Sequence, residues 1–188
     1  MYSSSEKQAI IDSVKHPSHD YFSFFVCRNP LAKLVSVYKY QKDRTAESSK
    51  KGKDWKPWII EGFPIGRPPS WNDYLTFDPF RSGLTKPLWN KCDPCHHHWD
   101  AVVKMETFNS DSKAILRASG SKVALSHLNN LGSAGGEAGV TNQMVWRLFG
   151  NASKAALTGI VEAYWRDFLM CGYDDTLETL KEVQQKAA

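Results

Sequence analysis

The sequence predicts an α/β protein with a parallel sheet, because two segments each combine a strand pattern with a helix pattern directly after it. Residues 21–26, YFSFFV, are apolar almost throughout, as in a fully buried strand, and a helical pattern follows from Pro30. Residues 100–107, DAVVKMET, form the second strand pattern, and residues 110–120 form its helix. Strands that alternate with helices favour parallel pairing. The last third of the chain is helical in pattern.

Composition sets the limits of this prediction. The chain has 188 residues, 41% of them apolar and 23% charged, which suits one globular domain. A net charge of +4 suits anionic ligands but is too small to indicate nucleic-acid binding. No window approaches the roughly 20 apolar residues of a membrane helix, and no signal peptide is visible. A membrane anchor is expected only outside this sequence.

The elements follow in order from local signals. Residues 5–15 form a short helix pattern, and Asn29 with Pro30 gives a cap residue and a first-turn proline to the helix after the first strand. Ser70 caps another short helix. Gly120 and Gly172 end helices. The helix before Gly172 has an apolar stripe formed by Leu157, Ile160, Val161, Tyr164 and Phe168. The helix that begins at Pro30 has an apolar face formed by Leu31, Leu34, Val35 and Tyr38.

Two segments lack periodicity. Residues 43–70 are rich in lysine, glycine and proline and are interpreted as a surface insertion. Residues 129–143 are glycine-rich and are interpreted as a flexible connector. The insertion could attract an acidic glycan and stack its sugar rings, or it is a charged, solvated loop. The side chains concerned are Lys50, Lys51, Lys53, Lys56, Arg67, Trp55 and Trp58.

The junction between the first strand and its helix contains the candidate ligand-binding residues. Ligands of open α/β sheets bind at the carboxyl ends of strands, and Arg28 stands there, next to a helix N-terminus that favours anions. Ser36 follows Asn29 by about two helical turns. A phosphate held by Arg28 and the Ser36 hydroxyl is one interpretation. A surface arginine and a solvent-facing serine are the alternative from spacing alone. Lys33 and Tyr40 share this helix face.

The segment CRNPLAKLVSVYKY resembles the Arg-x-Pro-x-x-Arg-Leu-x-Ser-x-Tyr motif of sulfotransferases, in particular the Golgi carbohydrate sulfotransferases that act on chondroitin, dermatan and the HNK-1 epitope. The resemblance implies that Arg28 and Ser36 bind the 3′-phosphate of 3′-phosphoadenosine 5′-phosphosulfate (PAPS), the sulfate donor. Lys33 replaces the second arginine of the motif, so that arginine's role is not transferred to it.

The segment WNKCDPCHHHWDAVVKMETF supports the same family. Cys92, Cys95 and the following histidines suggest zinc, but a structural zinc site needs four ligands, and no second ligand pair follows. A disulfide or plain packing remains open for the two cysteines, and no metal is assigned. The segment resembles the family's Cys-x-Pro-Cys, Tyr-Asp and Lys-x-Glu-Thr elements. Leu84 and Thr85 stand where the family has His-Trp, and the ending YWRDFLMCGY also resembles the family.

The resemblance covers residues ~20 to 173 and implies a P-loop-kinase-like, three-layer sulfotransferase fold. The lysine-bearing loop that holds the 5′-phosphosulfate lies upstream of the Arg–Ser motif in the family, and no GxxxxGK[ST] occurs here. We therefore expect residues 1–188 to be a single partial domain, truncated at its N-terminus, with a helical C-terminal third. His16 and His19 lie just before the first strand and could deprotonate a hydroxyl, or they are ordinary loop histidines. Glu106 ends the second strand, where catalytic groups often lie, or it has a structural salt-bridge role. No catalytic base is assigned.

The resemblance implies a PAPS-dependent carbohydrate sulfotransferase that transfers a sulfuryl group to a hydroxyl of a glycosaminoglycan or glycoprotein glycan, without a metal. It also implies a type II protein of the Golgi membrane with a lumenal domain. The sequon Asn151–Ser153 mildly favours that location. The alternative is a non-catalytic fragment that binds a nucleotide or a sulfated glycan, and a nucleic-acid binder is disfavoured by the low charge.

Overall fold

The computed structural model describes residues 22–50, 70–76, 83–92, 94–121 and 142–186. Its two strands are β1 (Phe24–Cys27) and β2 (Ala101–Lys104), and short 3₁₀ turns span Pro94–His96 and Met105–Thr107. The helices are α1 (Pro30–Lys50), α2 (Trp71–Thr76), α3 (Leu88–Cys92), α4 (Phe108–Ala118), α5 (Asn142–Phe149), α6 (Lys154–Met170) and α7 (Asp174–Lys186).

The chain divides into two compact units. The first comprises Met1–Asn29 and Leu88–Gly136, and the second comprises Pro30–Pro87 and Glu137–Ala188. The boundary between Asn29 and Pro30 falls between β1 and α1.

The first unit is built on a parallel pair of strands. Phe24 pairs with Ala101, and the register continues to Cys27 and Lys104. Helix α4 packs on β2. The parallel α/β prediction is confirmed for these strands, and parallel strands place their carboxyl ends at the same edge. Arg28 therefore leaves the sheet at the edge where the Met105–Thr107 turn begins.

The expectation that residues 21–26 form a fully buried strand is wrong. Strand β1 begins at Phe24, and Phe24 and Val26 are 36% and 38% exposed, as is Val102 on β2 at 39%. Within the described residues each strand has one paired neighbour, so the two-stranded ribbon covers little of its own surface. Apolar side chains alone could not reveal how many neighbours the strand has.

The second unit is helical. Helix α6 packs on α7, on α2 and on α1, and α1 also contacts α5. The predicted stripe of α6 is buried with the exception of the half-buried Val161. The large side chains that are fully buried in this core are Leu31, Leu34, Val35, Phe149, Leu157, Ile160, Tyr164, Phe168 and Leu180.

An aromatic cluster joins three helices of this unit. The Tyr38 ring of α1 lies 5.1 Å from the Trp71 ring and 5.2 Å from the Tyr74 ring of α2, measured between centroids. Trp71 also meets Phe149 of α5 edge-on at 5.2 Å. Such tilted contacts contribute beyond the area that they bury. Short α2 is thereby held by its side chains.

Helix ends follow the predicted signals. The Ser70 hydroxyl accepts the Asp73 N–H at 3.2 Å while the Asp73 carboxylate accepts the Ser70 N–H at 3.1 Å, a reciprocal capping box. Gly172 has φ 65° after α6. The Tyr173 N–H donates to the Phe168 carbonyl at 2.8 Å, which completes a Schellman motif.

Further boundaries differ from those predicted. The second strand, predicted at residues 100–107, spans only Ala101–Lys104, and Met105–Thr107 form a 3₁₀ turn instead. Helix α1 continues to Lys50, so residues 43–50 of the predicted insertion are helical. Helix α4 begins at Phe108, two residues earlier than predicted. Three predicted features lie outside the described residues: residues 51–69 of the insertion, the helix at 5–15 and most of the glycine-rich segment. That residues 1–188 form a single partial domain stays a prediction.

Candidate anion-binding site

Arg28 follows directly on β1, and its residue is exposed. The preceding Cys27 is 1% exposed, pairs with Lys104 in the strand register and is disulfide-bonded. An exposed arginine at the carboxyl end of a parallel strand can meet a ligand, while the buried cysteine before it fixes where the chain leaves the sheet.

Glu106 reaches the same junction from β2. Its Oε1 atom accepts the backbone N–H of Asn29 at 3.0 Å. Asn29 precedes the first residue of α1, and a carboxylate is a favourable partner for a backbone N–H beside a helix start. Glu106 thus binds the protein's own backbone in this structure, which is a structural role of the kind considered for it from the sequence.

The turn that carries Glu106 is fixed by Asp111 of α4. The Asp111 Oδ2 atom accepts the Lys104 N–H at 3.0 Å and the Thr107 hydroxyl at 2.7 Å. Desolvation raises the pKa of the Asp111 carboxyl, but the hydrogen bonds from Thr107, Lys104 and Ser110 outweigh it, so the net pKa is lowered. Asp111 is therefore held ionised at neutral pH as the acceptor that shapes this turn.

Ser36 lies on α1 and is partly exposed. Within the described part of the chain its hydroxyl forms no hydrogen bond. Other hydroxyls in or beside the helices donate to a carbonyl three or four residues earlier, so they are already engaged. These belong to Thr76, Ser110, Ser112, Ser119, Thr158 and Thr179.

Lys33, three residues before Ser36, has a different role from that of the family's arginine. Its Nζ atom donates to the Lys86 carbonyl at 2.7 Å and lies 5.9 Å from the centroid of the Tyr164 ring. The Tyr164 hydroxyl in turn donates to the Thr85 carbonyl. Two side chains of this unit thus hold the backbone at two successive residues, 85 and 86. Tyr40, predicted on the same face as Lys33, is 49% exposed.

Residues 84 and 85 occupy the position at which the family pattern has His-Trp. Thr85 is fully buried, whereas Leu84 beside it is 53% exposed. An exposed leucine on a fixed turn gives an apolar contact point but no titratable group. Neither residue therefore replaces the titratable histidine of the family pattern.

The opposite edge of the sheet, where the strands begin, is held by Ser23 and Asp100. The Asp100 carboxylate accepts the Ser23 N–H at 2.7 Å and the Ser23 hydroxyl at 2.8 Å. These hydrogen bonds from Ser23 lower the pKa of the Asp100 carboxyl. The Trp99 ring lies tilted against the Phe25 ring, with 5.3 Å between the ring centroids. Trp99 and Asp100, which stand at the position of the family's Tyr-Asp element, therefore contact the beginnings of the strands and not their carboxyl ends.

The cysteine and histidine pattern gives no metal centre within the described residues, where no cluster of three or more histidine, cysteine or acidic side chains is arranged to hold an ion. The side chains of Cys92 and Cys95 are outside the described set, so their pairing stays open. Cys171, like Cys27, is disulfide-bonded. No helix in the described part of the chain has the length and apolar character that crossing a bilayer requires.

The fold and the junction define an α/β protein in which an exposed arginine leaves the carboxyl end of a parallel strand beside a helix start, as in proteins that bind anionic ligands. The chain belongs to the sulfotransferase family, whose model matches residues 3–174.

Individual relatives are distant. Carbohydrate sulfotransferase 11 of Rattus norvegicus is 29% identical over 188 residues, which cover 88% of this chain and 51% of the relative. Carbohydrate sulfotransferase 11 of Danio rerio is 24% identical, with the same coverage of 88% and 51%. Carbohydrate sulfotransferase 14 of Homo sapiens is 25% identical over 56% of this chain and 30% of its own length. The chain thus spans about half the length of the first two. No solved structure matches.

The two predicted phosphate-binding residues belong to different units, Arg28 to the first and Ser36 to the second. Their joint contact with one phosphate stays a prediction. The contact of Glu106 with Asn29 and that of Lys33 with Lys86 were not predicted from the sequence. A signal for the first existed, since Asn29 follows the first predicted strand and Glu106 lies near the end of the second, so a parallel pair brings them to the same edge. His16 and His19 lie outside the described residues.

Proposed function

We propose that this chain is the donor-binding part of a carbohydrate sulfotransferase that transfers a sulfuryl group from PAPS to a sugar hydroxyl of a glycosaminoglycan or glycoprotein glycan. The observation that carries the proposal is the position of Arg28, at the carboxyl end of β1 and before α1, within the stretch that matches the family. Family membership provides the reaction class, and the junction provides the residue that meets the phosphate.

Arg28 and Ser36 fit a phosphate by their chemistry. The guanidinium offers a planar pair of N–H donors to two phosphate oxygens, and a hydroxyl adds a third donor. Ser36 is suited to this because its hydroxyl is not engaged by the described protein, unlike the other helix hydroxyls. In this proposal both residues bind the 3′-phosphate and thereby orient the nucleotide.

PAPS supplies the sulfuryl group when it is bound. The contribution of this chain is to fix the nucleotide so that the donor and the sugar hydroxyl are held in line, which lowers the entropic part of the barrier. No described residue is assigned as the catalytic base, and no metal is assigned a role. The proposed three-layer, P-loop-kinase-like fold would extend the β1–β2 pair into a larger parallel sheet.

The glycan acceptor is proposed to meet the basic and indole side chains of the predicted insertion, none of which is among the described side chains. These are Lys50, Lys51, Lys53, Lys56, Arg67, Trp55 and Trp58. Their charge suits an acidic glycan and their indole rings suit sugar faces. The disulfides of Cys27 and Cys171 support an oxidising compartment, in agreement with a lumenal Golgi location. Asn151 of the sequon is exposed, as a glycosylated asparagine must be. An anchor of the type II kind would lie outside this sequence.

A second candidate is a protein that binds the nucleotide or a sulfated glycan without transfer. The sequence favours it in one respect, since it has no GxxxxGK[ST] loop for the 5′-phosphosulfate. Sulfate transfer from PAPS to a panel of glycosaminoglycans separates the two candidates. Transfer supports the enzyme, and nucleotide binding without transfer supports the second candidate.

Calorimetry with adenosine 3′,5′-bisphosphate tests the donor site. Arg28→Ala should weaken binding by roughly 10- to 100-fold, because a charged hydrogen-bonded contact is lost. Arg28→Lys should lose part of the affinity, since it keeps the charge but not the fork. Arg117→Ala, which removes an exposed arginine of α4, is the matched control. Equal affinity in Arg28→Ala and Arg117→Ala would remove Arg28 from the site.

A further inference from the structure

Arg28 lies between two residues that are both fixed to the second strand. Cys27 pairs with Lys104 in the parallel register, and Asn29 donates its N–H to the Glu106 carboxylate at 3.0 Å. Lys104 and Glu106, which hold the two neighbours of Arg28, are thus two positions apart in the sequence, as Cys27 and Asn29 are. The Glu106 side chain extends the contact between the two strand segments past the point where the ladder ends.

Glu106 is itself held in place. It lies in the 3₁₀ turn Met105–Thr107. Lys104, the residue before this turn, and Thr107, its last residue, are both hydrogen-bonded to the Asp111 carboxylate of α4. The Ser110 hydroxyl donates to the Thr107 carbonyl at 2.8 Å. A side chain on such a turn can hold a partner at a defined position, whereas an exposed glutamate on a mobile loop could not.

We propose that Glu106 is a positioning residue for the donor site, acting through the backbone of Asn29 on the direction of Arg28. This inference rests on the proposed function, in which Arg28 binds the 3′-phosphate. Fixing the residues on both sides of Arg28 restricts the backbone from which the guanidinium extends, so less freedom is lost when the phosphate binds. Glu106 does not touch the nucleotide in this arrangement.

The charge of Glu106 provides a strict test. A carboxylate beside an anion site repels a phosphate, so a glutamate that merely occupied the site would weaken nucleotide binding. A positioning glutamate strengthens nucleotide binding, because the N–H of Asn29 satisfies the carboxylate and the fixed backbone favours the bound geometry. The two roles predict opposite changes in affinity when the side chain is removed.

The experiment measures the affinity of wild type, Glu106→Ala and Glu106→Gln for adenosine 3′,5′-bisphosphate by calorimetry. We expect Glu106→Ala to bind roughly tenfold more weakly, and Glu106→Gln to stay within about threefold of wild type, since the glutamine carbonyl still accepts the Asn29 N–H. The ¹⁵N–¹H signal of Asn29, followed by NMR, should move strongly in the alanine variant and little in the glutamine variant. A merely structural role would not produce this rescue.

Glu162→Ala is the matched control, because it removes an exposed glutamate of α6 and leaves the Met105–Thr107 turn intact. Its stability should change little, and its nucleotide affinity should stay within about twofold of wild type. Unchanged affinity in Glu106→Ala, or tighter binding in both Glu106 variants, overturns the positioning role. Absence of binding by the wild type instead overturns the proposed function itself, so the two failures are distinguishable.

Discussion

The Nζ atom of Lys33 lies 2.7 Å from the carbonyl oxygen of Lys86, and the same ammonium lies 5.9 Å from the centroid of the Tyr164 ring. Lys33 occupies the position of an arginine in the family motif, yet its charge is directed to the protein's own backbone. A lysine ammonium is a compact charge on a flexible stem and can reach a single carbonyl, whereas the planar fork of arginine suits two oxygens of a phosphate. The replacement is therefore consistent with a structural role.

Lys33→Met should destabilise the protein without weakening nucleotide binding. The substitution keeps most of the side-chain volume but removes the charged hydrogen bond to the Lys86 carbonyl, at a cost of about 1–3 kcal/mol in the free energy of unfolding. Urea unfolding measures the loss, and calorimetry with adenosine 3′,5′-bisphosphate measures the affinity.

The matched control is Lys42→Met, an exposed lysine on the same helix nine residues later, which should change stability much less. A large loss of nucleotide affinity in Lys33→Met, with stability preserved, would contradict the structural role and restore Lys33 to the donor site.

Ser36→Ala should have the opposite profile. Its hydroxyl makes no hydrogen bond within the described residues, and alanine is the better helix former, so stability should stay constant or rise by a few tenths of a kcal/mol. The affinity for adenosine 3′,5′-bisphosphate should fall about tenfold, because a hydrogen bond to a charged phosphate is lost.

Thr179→Ala on α7 is the control for Ser36→Ala, since that hydroxyl already donates to the Asp175 carbonyl at 2.8 Å. It should leave the nucleotide affinity unchanged. If Ser36→Ala and Thr179→Ala bind the nucleotide equally well, Ser36 is a solvent-facing helix residue, which is the alternative that spacing alone left open.

The sequence predicted what depends on neighbouring residues. Ser70 with Asp73, and Gly172 after α6, carry their capping signals within a few positions, and both signals are confirmed. The exposure of Val26 and the bond of Glu106 to Asn29 could not be read in this way. The first depends on how many strands flank β1, and the second joins residues 77 positions apart. Long-range geometry of this kind is set by packing rather than by local preference.

Alkaline pH should unfold the second unit's core through its tyrosines. Desolvation by burial raises the pKa of Tyr164 and of Tyr74 above the ordinary value of 10.0, with smaller electrostatic contributions at Tyr164 from Tyr74 and Asp167. Because the folded pKa is the higher one, this contribution to stability is complete below about pH 10 and is lost as the unfolded chain ionises above it. Urea midpoints measured from about pH 8 to about pH 11 should fall steeply only at the upper end.

Tyr164→Phe tests this assignment. The variant should be less stable at neutral pH by about 1–3 kcal/mol, because the Thr85 carbonyl loses its donor, and its stability should fall less steeply above pH 10. Tyr40→Phe, at an exposed position of α1, should keep the wild-type slope. Parallel curves for wild type and Tyr164→Phe above pH 10 would show that the alkaline loss arises elsewhere.

Acid should weaken the start of the sheet through Asp100. Hydrogen bonds from the backbone and side chain of Ser23 lower the pKa of Asp100 below its ordinary value of 3.8. A depressed folded pKa means that the stabilisation is present above about pH 4 and is lost as pH falls through the folded value. Asp100→Asn should therefore be less stable than wild type at neutral pH, and the difference should shrink as the pH falls below 3.8.

Urea unfolding at several acidic pH values measures that difference. Glu182→Gln, an exposed change on α7, is the control and should show no such convergence. A constant difference between wild type and Asp100→Asn across the acid range would mean that the ionised carboxylate does not hold Ser23, and that strand alignment rests on the backbone ladder alone.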